Sequence, residues 1–212
     1  MPVEAAAEPV AVDFYLGLGS RYSYLAASQV ERIEKAHGCR FVWKPIASGA
    51  LMDRRGGNPF RGEPLSGQYD WGYREYDARC WADYYGIPFR EPVGFRVDPD
   101  DLALTCLAAD GQGALVPCCR LLQRLIFVDG VAIDGDVIAG LPALLGLDPA
   151  AFRRDLEKAR PRHEALLDEA RRRGAFGVPT FFLGKQMFWG NDRLLLLEAA
   201  LSGVPLPSAP SA

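Results

Sequence analysis

The chain has 212 residues, 49% of them apolar and 24% charged, and a formal net charge of −3. That is the composition of an ordinary globular protein with enough residues for one sizeable core or two small interlocked ones. The charge balance offers no basic face for nucleic acid, and no run of about 18 uninterrupted apolar residues offers a membrane span, so neither partner is expected.

The N-terminal segment MPVEAAAEPVAVDF carries two glutamates and no basic residue. It lacks the basic start and apolar centre of a secretory signal, which makes a cytoplasmic location the expectation. VDFYL, residues 12–16, is a short β-rich run, followed by the glycine-bracketed turn GLGS. From Tyr22 the apolar spacing turns helical, through Leu25, Ala26, Val30 and Ile33. Ser20 is placed to cap that helix and His37-Gly38 to end it. A second strand, Arg40 to Lys44, stops at Pro45, which completes a parallel, right-handed βαβ unit.

Residues 47–64, rich in Gly, Pro and Arg, read as an extended loop. Helical periodicity then runs through GQYDWGYREYDARCWADYYG, ending at Gly86 with Pro88 beyond, and through residues 100–109, 114–128, 134–145 and 149–173. The signal changes back at Gly177. VPTFFL and QMFW are strands joined by the two-residue turn Gly184-Lys185. Asn191-Asp192 open a last helix, RLLLLEAAL, and SGVPLPSAPSA reads as a disordered tail. The fold class is α/β: a thioredoxin-like βαβ–ββα domain (residues 10–46 and 175–203) interrupted by an inserted, mainly helical domain (47–174), with a tail at 204–212.

The motif Ser20-Arg21-Tyr22-Ser23 places hydroxyls where a redox protein of this layout carries Cys-x-x-Cys. A helix N-terminus offers unpaired N–H groups and about half a positive charge, which stabilises a thiolate. With no cysteine of the chain there, a thiol brought by a ligand can use the same environment. A thiol with pKa near 8.5 is about 3% ionised at pH 7, and lowering it two units takes roughly 2.7 kcal/mol. The helix dipole and one or two charge-assisted hydrogen bonds are of that size. Position alone reads Ser20 equally well as a plain N-cap. The five cysteines (Cys39, Cys80, Cys106, Cys118, Cys119) form no Cys-x-x-Cys and read as core or surface residues. His37 and His163 are too few for a zinc-like cluster, so no metal is expected, and His163 reads as a surface helix residue. Trp43, Trp71, Tyr73, Trp81, Tyr84 and Tyr85 read as packing residues. Arg54, Arg55 and Arg61 can hold a substrate carboxylate, although exposed loop arginines are commoner.

GSRYSYLA, WADYYGIPF and above all AFGVPTFFLGKQMFWGNDRLLLLEAAL make residues 11–202 resemble the 2-hydroxychromene-2-carboxylate isomerases, whose structural relatives are the kappa-class glutathione transferases and the periplasmic disulfide oxidases. The resemblance implies a glutathione-dependent cis–trans isomerase acting on an aromatic-catabolism intermediate, a small unsaturated keto acid. It implies that the Ser20 hydroxyl donates to the glutathione sulfur. It implies a cis Val178-Pro179 bond facing the helix N-terminus, with the Val178 backbone pairing with the cysteinyl segment. In Trp189-Gly190-Asn191-Asp192, the helix start at Asn191 suits the γ-glutamyl carboxylate and Asp192 the ammonium, although both are also ordinary helix-start residues.

The chain departs from the family at Arg21, where a proline is usual, at Gly17, where an aspartate is usual, and around Phe95, where close members have a tyrosine. Arg21 can help a thiolate or an anionic substrate, or be a solvated arginine; Asn58 keeps a Gly-Asn pairing that is also ordinary turn chemistry. These two are the substrate-side candidates. The competing readings are a kappa-like transferase, a non-catalytic glutathione- or anion-binding module and, since serines replace both redox sulfurs, more distantly a disulfide oxidoreductase. Many relatives are dimers, so a homodimer fits the resemblance, with no sequence feature pointing to an interface.

Overall fold

The computed structural model describes residues 8–52, 71–94 and 96–207. Its sheet has the order β2-β1-β3-β4, from β1 (Ala11–Leu16), β2 (Arg40–Pro45), β3 (Thr180–Leu183) and β4 (Gln186–Trp189). β1 pairs parallel with β2 and antiparallel with β3, and β3 pairs antiparallel with β4. Helix α1 (Arg21–His37) makes the crossover between the parallel strands; it starts on the Ser20 cap and ends on Gly38 at φ 62°, whose N–H donates to the Glu34 carbonyl. The left-handed conformation there is the reason for glycine. This is the thioredoxin-like arrangement expected of the chain, and α8 (Leu194–Leu201) completes it.

Between β2 and β3 stand α2 (Gly49–Met52), α3 (Trp71–Tyr85), α4 (Pro99–Asp110), α5 (Leu115–Arg124), α6 (Gly135–Leu145) and α7 (Pro149–Arg172). Two details differ from the periodicity. The short α2 interrupts the stretch read as loop, and the helix expected over 114–128 changes at Leu125 into a π-type turn to Asp129, closed by Gly130 at φ 69°. Among the described residues, no helix is long and apolar enough to cross a membrane.

Strand alternation decides which helices cover which face. Val12, Phe14 and Leu16 of β1 point into a core shared with Ala26, Val30 and Ile33 of α1, Cys106 of α4, Cys118 and Leu122 of α5, and Leu197 of α8. Phe14 stacks on Phe181 with centroids 4.8 Å apart and meets Trp43 edge-on at 5.2 Å, tying β2, β1 and β3 together. Such pairs add about 0.5–1.5 kcal/mol each beyond their buried area. The opposite residues, Asp13 and Tyr15, face α7. Tyr15 joins Ile46, Leu51, Leu167, Ala170 and Phe182 in a second core. At its rim Lys44 Nζ lies 2.9 Å from Asp13 and 2.8 Å from Glu169, while Arg173 pairs with Asp13 and lies 3.8 Å over the Phe182 ring.

All five cysteines are free, as expected; Cys80 is exposed and the other four are buried. Trp43 is buried, as the packing reading required, whereas Tyr73 and Tyr84 are 61% and 75% exposed. His163 corrects the surface assignment: it is buried, in line with Ala159, Leu167 and Ala170 on the inner face of α7.

Candidate active site

The two serines of the opening motif do different work. Ser20 has extended backbone, and its Oγ accepts from the Ser23 N–H at 3.2 Å, as an N-cap does. A hydroxyl has one proton and two acceptor sites, so this bond leaves the Ser20 O–H to donate elsewhere. Ser23 is fully buried, and its Oγ accepts from the Gly17 N–H at 3.2 Å. It fixes the turn between β1 and α1. The first turn of α1 contains no acidic residue. The N–H groups of Arg21 and Tyr22 have no carbonyl one turn earlier in the helix, so this end of α1 favours an anion.

Val178-Pro179 is a cis peptide bond, as the resemblance implied. The β1–β3 register starts at Tyr15 and Thr180, so Val178 stands just beyond the paired ladder. Its side chain closes on the serine turn: a β-carbon on Gly17 would lie 3.0 Å from Val178 Cγ2, 3.6 Å from Ser48 Oγ and 3.7 Å from Ser20 Cβ. Glycine at position 17 therefore lets three segments of chain meet, and an aspartate there would need Val178 to move.

The Gly190 N–H donates to the Pro179 carbonyl at 2.9 Å, which joins the WGND segment to the same loop. Gly177 makes room for Trp189, whose Nε1 would be 2.7 Å from a β-carbon at 177. Trp189 is half exposed and lies against Phe176, with centroids 4.7 Å apart. Gly190 has φ 109°, a left-handed value that favours glycine, and Asp192 Oδ1 would touch a β-carbon there at 2.6 Å. Asp192 is exposed and pairs with Arg193 at 3.0 Å. Asn191 is 2% exposed; its Oδ1 accepts from the Tyr85 hydroxyl at 3.3 Å, and its Nδ2 has no hydrogen-bond partner among the described residues. Burial pushes the Tyr85 phenol up to about 12, so it stays a donor at neutral pH.

Ser20, Val178, Pro179, Trp189, Gly190, Asn191 and Asp192 thus lie on connected loops, with Pro179 and Asn191 buried among them. Arg21 lies at their edge, with a side chain 13% exposed in an ion pair with Glu91, so the solvated alternative does not describe it. Beside it the Tyr22 hydroxyl donates to Asp77 at 2.7 Å; burial and then that carboxylate push the phenol well up. These bonds fasten the start of α1 to α3 and the segment after it. Asn58, Arg54, Arg55, Arg61 and Phe95 lie outside the described residues. Sequence reasoning missed Ser48 and the Tyr85–Asn191 bond. Tyr85 stands in the WADYYGIPF motif, but nothing local shows which of its aromatics reaches the site.

Sheet order, capped α1 and the cis-proline loop define a thioredoxin-fold protein with hydroxyls in place of its redox thiols. Comparison with known proteins agrees. The family model described as "DSBA-like thioredoxin domain" matches residues 11–202. The chain is 31% identical over 196 residues to 2-hydroxychromene-2-carboxylate isomerase of Pseudomonas putida, covering 90% of this chain and 93% of that one. It is 32% identical over 204 residues to the protein of the same name from Pseudomonas sp. (strain C18), covering 93% and 92%. A solved structure of 2-hydroxychromene-2-carboxylate isomerase superposes with a TM-score of 0.77 at 27% identity, covering 92% of this chain and 95% of that one. The chain belongs to the DSBA-like thioredoxin family and, within it, to the 2-hydroxychromene-2-carboxylate isomerase family.

Proposed function

We propose that the protein is a glutathione-dependent cis–trans isomerase of an unsaturated keto acid from aromatic catabolism, of the 2-hydroxychromene-2-carboxylate kind. The observation that carries the reading is Ser20 capping an acid-free helix start beside the Val178-Pro179 loop. Relatives named as isomerases at 31% and 32% identity support it.

The residues present fit glutathione. Gly17 and Gly177 let Val178 and Trp189 pack where β-carbons would crowd them, and the buried Asn191 Nδ2 is a donor in need of an acceptor. When bound, glutathione would supply a thiolate for reversible nucleophilic addition to a conjugated double bond, and its elimination after rotation about the resulting single bond would restore the double bond and leave glutathione unconsumed. The Ser20 O–H donates toward the sulfur and, with the α1 dipole, favours the anion. The Val178 backbone, outside its own ladder, pairs with the cysteinyl segment like a short added strand. Asn191 receives the γ-glutamyl carboxylate, and Asp192 turns from Arg193 to the ammonium, with Trp189 beside them. Arg21, shared with Glu91, faces the anionic end of the substrate, and Asn58 is the other substrate-side candidate.

The test is isomerisation with and without glutathione, with product masses recorded. Turnover that depends on glutathione and adds no mass is expected. Unchanged turnover after its thorough removal would refute the reading, and a persisting conjugate would make the protein a transferase instead.

A further inference from the structure

The turn joining β2 to α2 lies against the site, since Ser48 Oγ and Val178 Cγ2 flank the same Gly17 position. A side chain from α7 holds that turn. The buried Ala47 N–H donates to His163 Nε2 at 3.1 Å, and His163 is 1% exposed. Accepting at Nε2 requires that nitrogen to be bare, so the imidazole is neutral with its proton on Nδ1. An imidazolium would set N–H against N–H.

The charged groups around His163 are Arg160, Glu164 and Arg171 on its own helix and Asp100 on α4. Asp100 is engaged by Arg160 at 3.3 Å and Arg171 by Asp168 at 2.9 Å. From the turn and α2 come Ala47, Ser48 and Leu51, which carry no charge. Burial therefore dominates and lowers the His163 pKa from 6.5.

We propose that His163 is a positioning residue for this site: as a neutral acceptor it fixes the Ala47–Ser48 turn against Gly17 and Val178, and its protonation in acid releases that turn. The consequence for function rests on the reading of the Ser20–Val178 surface as the active site. The sign follows from linkage. A histidine whose folded pKa is depressed contributes its full stabilisation above the unfolded value near 6.5 and loses it as pH falls through the folded value.

The test is a pH titration by nuclear magnetic resonance of the glutathione-free protein, which has only two histidines. At pH 7 His163 should show the neutral Nδ1–H tautomer. Below its midpoint the amides of Ala47, Ser48, Gly17 and Val178 should shift together with the imidazole. In H163Q the side-chain carbonyl accepts from Ala47 at every pH, so the step in those amides should vanish while their neutral-pH positions stay. The Nε2–H tautomer at pH 7, site amides that ignore the titration, or a step that survives in H163Q would each overturn the proposal. Because glutathione and substrate are absent, these readouts stand or fall apart from the isomerase reading.

Discussion

Replacing Ser20 tests both the cap that its hydroxyl forms and the sulfur contact proposed for it, and two variants separate them. Ser20→Ala removes the acceptor that takes the Ser23 N–H at 3.2 Å. Loss of such a cap costs about 1 kcal/mol, whereas glycine at the same position costs only a few tenths. For a chain of this size, about 1 kcal/mol lowers Tm by roughly 2–4 °C. Both variants also remove the donor proposed for the glutathione sulfur, and a hydrogen bond to a charged group is worth about 1.5–3 kcal/mol. At 1.36 kcal/mol per unit, the thiol pKa of bound glutathione should rise by about one to two units in S20A and S20G alike. The assay is ultraviolet titration of thiolate absorbance at saturating glutathione, beside thermal unfolding of each apoprotein. S20A should lose both stability and thiolate, and S20G mainly thiolate. A bound-thiol titration unchanged in both would refute the assigned donor, whatever happened to Tm.

Gly17→Ala would put a β-carbon 3.0 Å from Val178 Cγ2; overpacking of this kind costs about 1–3 kcal/mol, and calorimetry should show weaker glutathione binding with the fold intact by circular dichroism. Tyr85→Phe removes the donor to the buried Asn191 Oδ1. Chemical denaturation should show a loss of about 1–3 kcal/mol for that unsatisfied oxygen, together with a higher KM for glutathione. Burial raises the Asp13 pKa, but hydrogen bonds from Arg173 and Lys44 outweigh it, so the carboxyl sits below its usual range. Its contribution is present above the unfolded value near pH 4 and is lost as pH falls further. Urea midpoints at pH 5 and pH 3 should therefore converge in Arg173→Ala relative to the parent.

Local signals carried the βαβ unit, both caps of α1 and the ββα end, because periodicity and turn chemistry act within a few residues. Ser20 was legible for the same reason, being the residue before a helical pattern. Burial of His163 was half legible: it is spaced four residues from both Ala159 and Leu167, but its neighbours in RPRHEALLDEA are charged. The Arg21–Glu91 and Tyr85–Asn191 pairs were not legible, since each joins residues far apart in sequence and depends on how the helices between β2 and β3 dock. The four-residue α2 was hidden in a stretch whose Gly, Pro and Arg content suggested only loop.

The distribution of thiols offers an experimental handle. Cys80 is exposed on α3, while Cys39, Cys106, Cys118 and Cys119 are buried. Cys80 is also five residues from Tyr85, about 7.5 Å along the helix axis. A maleimide dye should therefore attach at a single position without any cysteine being engineered in or out. Seated about 1.4 turns from Tyr85, it would report occupancy of the proposed glutathione site as a change in fluorescence in the native sequence.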